Sequence, residues 1–320
     1  MGEISLAQAV EEFARVTQGA AAADLERPWV WGAYDEEGVR FAFFRTYEEL
    51  RELEVRLLTA RSAAGCAPTA GQRILALYHL AHRDLQAALL GVSPALAAQA
   101  PAAGEWSVQQ TLAHMTKATI GFYAVVRGAL DSRRGGVAEP PDMTDELWQS
   151  TAGVSFEALN AQLEGEFTDL LAFDAAWHDR VLAELADVTE DELAWPARYW
   201  EGYDMPLRFR LHRFDAHLRQ HTIQVDKTLL ALGHELTEAR RLLRLIYAAL
   251  AEVEGALIGA PDPVALDLQR QTASAIAGRA HEIAAILKSE TTGIPNVNGM
   301  AARKWACAPR LGGFGPRSPR

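Results

Sequence analysis

Three histidines lie within ten residues of one stretch, LHRFDAHLRQHTIQVDK, which spans 211–227. Two of them, His217 and His221, are four residues apart. If the stretch is an α-helix, its turn of about 100° per residue places these two imidazoles about 40° apart on successive turns. Such a pair can hold one metal ion. Two half-buried polar histidines on a helix flank would have the same spacing, so the spacing alone leaves both interpretations open.

The apolar residues of this stretch recur at helical spacing and place the histidine pair at one edge of the buried face. Gln224 shares that edge. It lies one turn beyond His221, where its side chain could hydrogen-bond a ligand or a bound water. His212 falls on the opposite face of the predicted helix and is therefore not part of this set.

A second motif, EWSVQQTLAHM, carries the candidate third ligand, His114. Ser107 followed three residues later by Gln110 is the pattern of a capping box, so a helix is predicted to begin there. His114 then lies off the centre of the apolar stripe of that helix. Its surface neighbours, Ala118 and Gly121, are small and leave room for another helix or for a site. A lone histidine in such a place is more often not a ligand, and the residues alone do not decide.

The two motifs together, EWSVQQTLAHM and FDAHLRQHTIQ, resemble the DinB/YfiT-like family of metal-binding four-helix proteins. In that family a Trp-Ser/Thr helix start leads to a histidine on the second helix. A His-x-x-x-His motif on the fourth helix, often with a trailing Gln, supplies the rest. The resemblance covers residues 72–233 and implies a metal site formed by His114, His217 and His221, with Gln224 in the place of the trailing Gln.

Three neutral imidazoles leave one position of a metal ion open to water or substrate. Zn²⁺ fits three histidines best, and Ni²⁺, Fe²⁺ and Mn²⁺ are alternatives. A closed structural zinc site would need four protein ligands, commonly cysteines. The chain has two, Cys66 and Cys307, and neither is near the ligand helices in sequence. We therefore expect a divalent metal at an open site.

The resemblance implies two enzyme chemistries. Some members are similar to thiol transferases that join bacillithiol or mycothiol to electrophiles, and others resemble a mycothiol-dependent maleylpyruvate isomerase. In both, the metal would bind the thiol as its thiolate. The expected function is thus a metal-dependent transferase that uses a low-molecular-weight thiol and a small-molecule substrate. A metal-dependent hydrolase and a non-enzymatic metal-binding stress protein are the alternatives, and no paired carboxylate or Ser/His set identifies a catalytic residue.

Other polar and aromatic residues receive less specific predictions. His79 and His82 are expected to be solvated, although they could approach the site, and His178 is expected in a surface ion network. Aromatic side chains are concentrated just before the histidine-rich stretch 211–227, where they could equally wall a substrate pocket or close the end of a bundle. They are Trp195, Tyr199, Trp200 and Tyr203.

The elements that must position the histidines are predicted to be helices, because alanine and leucine dominate and β-branched residues are few. We expect an all-α protein with a DinB-like four-helix bundle over 66–235. An N-terminal extension, 1–65, is predicted as a helix, a small hairpin over 29–44 and a helix capped by Thr46. Additional helices over 236–287 are expected to pack on the bundle. The last residues, 288–320, are rich in Gly, Pro and Arg and are predicted to be a disordered tail. The bundle helices are expected at 72–91, 107–130, 156–186 and 206–233.

Composition limits the partners of the protein. The net charge of −11 argues against nucleic acid, which needs basic patches. No apolar run reaches about 18 residues, so no membrane partner is expected. The acidic N-terminus does not resemble a signal peptide and cysteines are few, which predicts a cytoplasmic location. The apolar late helices could pair two chains, and a homodimer is expected from them.

Overall fold

The computed structural model describes residues 4–199, 201–260 and 265–289, and this part of the chain contains thirteen helices and one two-stranded sheet. The prediction of an all-α fold is confirmed. The two short strands are antiparallel, with Ala197 opposite Met205. In chain order the elements are α1 (Leu6–Thr17), α2 (Ala22–Leu25), α3 (Val39–Ala63), α4 (Ala70–Ala88), α5 (Pro94–Ala97), α6 (Val108–Arg134), α7 (Asp145–Ala152), α8 (Phe156–Leu163), α9 (Phe167–Leu185), α10 (Glu190–Leu193), β1 (Pro196–Arg198), β2 (Asp204–Pro206), α11 (Leu207–Ala231), α12 (Glu238–Leu257) and α13 (Leu266–Lys288).

Four long helices, α4, α6, α9 and α11, form a bundle in which α4 and α6 each contact both α9 and α11. Apolar side chains from all four fill its centre; Leu112, Met115 and Phe214 are almost completely buried there. Each such buried side chain stabilises the folded state by about 1.5–3 kcal/mol compared with the same side chain exposed to water. The two helices that carry the candidate ligands, α6 and α11, are therefore neighbours held by a shared core.

The capping box at Ser107 is present as predicted. Its hydroxyl accepts the backbone N–H of Gln110 at 3.2 Å, and the Gln110 amide oxygen accepts the backbone N–H of Ser107 at 2.9 Å. These two bonds satisfy donors that a helix start otherwise leaves unpaired. The start of α6 is thereby fixed two turns before His114.

The hairpin predicted over 29–44 is wrong. Only one bridge forms, between Trp31 and Tyr34, and α3 begins already at Val39. Thr46 is consequently inside a helix and does not cap it; its hydroxyl donates to the carbonyl oxygen of Ala42. The buried residues of α3 recur at three and four positions, which is a helical pattern, and the phenylalanines at its start suggested a strand only because they are aromatic. The buried positions are Val39, Ala42, Phe43, Thr46, Leu50, Leu53, Leu57 and Arg61.

The predicted third bundle helix, 156–186, is two helices. The chain breaks after α8 near Gly165 and resumes at Phe167 as α9. The carbonyl oxygen of Gly165 accepts a hydrogen bond from the side chain of Gln109 on α6 at 2.9 Å. This carbonyl is thus satisfied by a neighbouring helix rather than within its own, which the local pattern could not indicate.

A second hydrophobic core joins the two ends of the described chain. Helices α1 and α3 pack against α13 and α12, and α12 also packs on α4 of the bundle. The apolar faces of the late helices are therefore buried within the chain, and the homodimer expected from them stays a prediction. Most of the predicted tail, 290–320, lies outside the described residues. Among the described helices, none combines the length and apolar character that crossing a bilayer requires.

Candidate metal centre

The imidazoles of His114, His217 and His221 lie together between α6 and α11. The Nε2 atoms of His114 and His217 are 3.2 Å apart, and the ring centroids of the three residues are 4.4–5.1 Å from one another. Each residue offers a nitrogen, and these three nitrogens lie within 4.8 Å of one another. The convergence predicted from the two motifs is therefore present.

This donor set fits a small divalent cation. Two nitrogens bound tetrahedrally at about 2.05 Å from one ion are about 3.3 Å apart, close to the separation of the His114 and His217 Nε2 atoms. In the described part of the chain no cysteine or carboxylate joins the cluster. Three imidazoles with no fourth protein ligand leave a coordination position for a water or a substrate.

Burial favours the neutral form of His114 and His217, which is the form that binds metals. Burial, with His221, His114 and Arg213 nearby, lowers the pKa of His217 to about 4. Burial, with His221 and Lys117, also lowers the pKa of His114. Protons therefore compete poorly for these two rings at neutral pH, and both can bind a cation without a prior deprotonation.

Gln224 orients the third histidine. Its amide oxygen lies 2.8 Å from Nδ1 of His221, a ring that is only 8% exposed. Because an amide oxygen can only accept, Nδ1 carries the proton and Nε2 keeps its lone pair for a ligand bond. The hydrogen bond that the sequence suggested for Gln224 is thus made to a candidate ligand, His221.

We expect replacement of Gln224 by Leu to weaken metal binding by about tenfold or more, because the His221 ring loses the partner that fixes its tautomer. Competition with a chromophoric chelator measures the affinity. Gln220→Leu, an exposed glutamine on the same helix, is the matched control and should bind metal as the unchanged protein does. Equal affinities for the two variants would contradict the orienting role.

Aromatic rings and an open cleft border the three histidines. Trp106, directly before the helix cap, lies with its ring 5.1 Å from that of His114. Phe122 lies edge-to-face with His217 at 5.5 Å. Beside His114 a cleft of about 920 Å³, lined also by Trp106 and Lys117, opens to solvent. A molecule in this cleft would contact His114 from the α6 side. The contribution of Phe122 was not expected from the sequence, where it is simply one residue of the apolar stripe.

The aromatic residues before α11 do not all have the same role: one lies near the histidines, where it could wall a pocket, and another packs at the far end of the bundle. Tyr199 packs against Phe122, with ring centroids 6.3 Å apart, and its hydroxyl lies 3.2 Å from where a Cβ on Gly121 would be. The space left by Gly121 is thus filled by Tyr199 near the site. Trp195 instead stacks under Arg133 at the far end of α6. Tyr203 is exposed, and Trp200 lies outside the described residues.

Three histidines of α4 and α9 are buried, contrary to expectation. His79, His82 and His178 are 7%, 5% and 2% exposed, and they form a second cluster apart from the three-histidine site. Nδ1 of His79 is 2.8 Å from Nε2 of His178, and the rings of His82 and His178 stack at 3.8 Å. Asp174 on α9 hydrogen-bonds Nε2 of His82, and Glu254 on α12 hydrogen-bonds Nε2 of His79. Sequence context suggested solvent because it could not show that α9 and α12 cover this face of α4.

This buried cluster makes stability dependent on pH. Burial, with His82, His79 and Arg83 nearby, lowers the pKa of His178 well below 6.5. The unfolded chain therefore takes up a proton near pH 6.5 that the folded chain refuses, so stability is complete above that pH and falls as the pH falls. The expected slope is about 1.4 kcal/mol per pH unit for such a histidine.

Urea unfolding of the metal-free protein between pH 5 and 8 measures this slope. His178→Phe keeps an aromatic ring beside Tyr78 and His82 but cannot titrate, so its stability should fall less steeply below pH 6.5. His212→Phe, at an exposed position, should retain the slope of the unchanged protein. Identical slopes in all three proteins would show that His178 is not a source of the acid sensitivity.

Comparison with known proteins agrees with this geometry. Residues 77–225 match a family model, that of the DinB superfamily. The match begins within α4 and ends within α11, so it includes all three histidines and Gln224. Comparisons with curated proteins and with solved structures gave no match.

Proposed function

Residues 77–225 belong to the DinB superfamily, and from this premise we propose that the protein is a metal-dependent transferase that joins a low-molecular-weight thiol to a small electrophilic substrate. The observation that carries the proposal is the convergence of His114, His217 and His221, with no further ligand from the described part of the chain, beside an open cleft. These three residues would hold the ion, and Zn²⁺ suits three neutral imidazoles best.

When bound, such an ion would stabilise a thiolate at neutral pH and so supply a nucleophile. The protein's own residues would orient the histidines and provide space for the substrate. Gln224 holds the His221 ring so that Nε2 stays available. Trp106 and Phe122 pack against the rings of His114 and His217, respectively, and so help to position them. The cleft beside His114 has room for a substrate against the site.

A hydrolase at the same position is the second candidate, because an open metal position can also activate water. Zinc hydrolases commonly use a carboxylate as general base close to the ion. In the described residues no carboxylate belongs to the three-histidine cluster, and the two that line the cleft, Glu105 and Glu164, are exposed to solvent. This difference favours the thiol transferase. The third alternative, a metal carrier without activity, is less well supported because side chains do not fill the cleft beside His114.

Thiol conjugation tests the proposal. Zn²⁺-loaded protein should accelerate the reaction of monochlorobimane with at least one cellular thiol, among cysteine, glutathione, bacillithiol and mycothiol, and His114→Ala protein should not. Ester and amide substrates, assayed over a range of pH, test the hydrolase. Turnover of an ester without any thiol conjugation would overturn the proposed reaction. A reducing cytoplasm, which keeps such thiols reduced, is the proposed location.

A further inference from the structure

Two cationic side chains border the three-histidine site from its two helices. Lys117 is one turn beyond His114 on α6, and both residues line the open cleft. Arg213 is one turn before His217 on α11, and its guanidinium lies 5.7 Å above the ring of Phe122. That same ring contacts His217. Each helix therefore places one cation next to one of the histidines.

Arg213 differs from the other arginines of its helix. Arg208, Arg210 and Arg219 each form an ion pair with a carboxylate, those partners being Glu190, Glu201 and Asp215. Within the part of the chain that the structure describes, no carboxylate lies within ion-pair distance of Arg213. A half-buried guanidinium that lacks a carboxylate partner can donate two parallel N–H groups to the two oxygens of an incoming carboxylate.

Lys117 is likewise without an ion-pair partner among the described residues. Two exposed carboxylates, Glu105 and Glu164, also line the cleft, yet neither pairs with the Lys117 ammonium. The protein as a whole carries a net charge of −11. Lys117 and Arg213 attract an anionic group to the histidines, whereas the net negative charge of the rest of the protein disfavours its binding elsewhere.

We infer that Lys117 and Arg213 form an anion-binding rim of the three-histidine site, which favours a substrate that carries a carboxylate in addition to its metal-binding group. This inference rests on the proposed function, because it assigns the charge of the molecule that occupies the open metal position. It names a substrate class: small carboxylated molecules, with the carboxylate bound by the rim and the second group directed at the histidines.

Binding of a matched pair of thiols to Co²⁺-loaded protein tests the rim. The pair is 3-mercaptopropionate and 3-mercaptopropionamide, which differ only in the charge of the group remote from sulfur. The near-ultraviolet absorption of a cobalt–sulfur bond reports binding directly, without any turnover. We expect the acid to bind about tenfold more tightly than the amide at low salt, with the difference shrinking as salt is added.

Variants connect this preference to the two residues. Lys117→Gln and Arg213→Gln should each reduce the preference for the acid over the amide by about threefold, and the double variant should bind both thiols almost equally. Lys227→Gln removes the same charge from an exposed position farther along α11 and should leave the preference intact. The Co²⁺ content of each variant is checked first, so that a variant that fails to fold is recognised. Equal binding of acid and amide by the unchanged protein would overturn the inference.

A second measurement separates this inference from the thiol chemistry. Calorimetric titration with glutarate and with glutaramide requires no metal–sulfur bond. Tighter binding of glutarate, lost in the double variant, would support the rim even if neither thiol reached the cobalt, a result that would count against the proposed transferase alone. Equal binding of glutarate and glutaramide would contradict the rim whatever the thiols do.

Discussion

Replacement of His114, His217 or His221 by alanine is expected to lower metal affinity by at least about a hundredfold, the largest functional effect that the structure predicts. Replacing a residue that only hydrogen-bonds a metal ligand already lowers metal affinity by about 10–100-fold, and removing the ligand itself lowers it further. Two imidazoles cannot hold an ion as three do, and no other donor in the described residues belongs to the cluster. The unchanged protein should retain about one ion per chain after dialysis, and each variant should retain almost none.

Elemental analysis by mass spectrometry measures the retained metal, and circular dichroism confirms that each variant is folded. His281→Ala is the control, since His281 is exposed on α13, where its Nδ1 hydrogen-bonds the carbonyl oxygen of Ala277. A His114→Ala protein that still retained a full equivalent of metal would show that α6 does not contribute to the centre. The open-site chemistry proposed above would then be lost, while the helical fold would be unaffected.

Removing the guanidinium of Arg61 should produce the largest loss of stability. Arg61 is 1% exposed at the C-terminal end of α3. It donates to the carbonyl oxygens of Ala256 at 2.6 Å and Ile258 at 3.1 Å, at the C-terminal end of α12. It also donates to the carbonyl oxygen of Cys66 and to the side chain of Gln72 at the start of α4. One buried cation on α3 thus satisfies acceptors from α4, from α12 and from the loop that follows α3, including carbonyls at the negative end of α12.

We expect Arg61→Met to lower the free energy of unfolding by about 3–5 kcal/mol, because methionine fills the space but leaves these buried acceptors without donors. Urea unfolding measures the change. Arg56→Met, on the same helix and bonded to Glu52 at the surface, should cost less than about 0.5 kcal/mol. A loss below about 1 kcal/mol for Arg61→Met would refute this role.

The metal content of the Arg61→Met protein shows whether the loss of stability also affects metal binding. Arg61 joins α3, α4 and α12, whereas the histidines lie between α6 and α11. The folded variant should therefore bind metal as the unchanged protein does. Loss of metal from a folded Arg61→Met protein would indicate that the second core and the histidine site are coupled.

Features that depend on neighbours along the chain were predictable from the sequence. Helix starts follow from local hydrogen bonds, so the capping box at Ser107 placed α6 correctly. Spacing within one helix follows from its period, so His217 and His221 were expected on one side of α11. The pairing of these two with His114 came from the resemblance of the two motifs to a family, since no local rule brings together residues one hundred positions apart.

The sequence by itself thus determined the helical fold, the positions of α6 and α11 and the three candidate ligands. Tertiary packing alone decided that His79, His82 and His178 are buried, that residues from Val39 on form a helix, and that the two ends of the described chain share a core. It also decided that Arg213 has no carboxylate partner in the described residues, although acidic residues are near it in sequence. The physical reason is that burial and charge pairing depend on which surfaces of separate helices face each other, and residue spacing within one helix carries no information about the helix opposite.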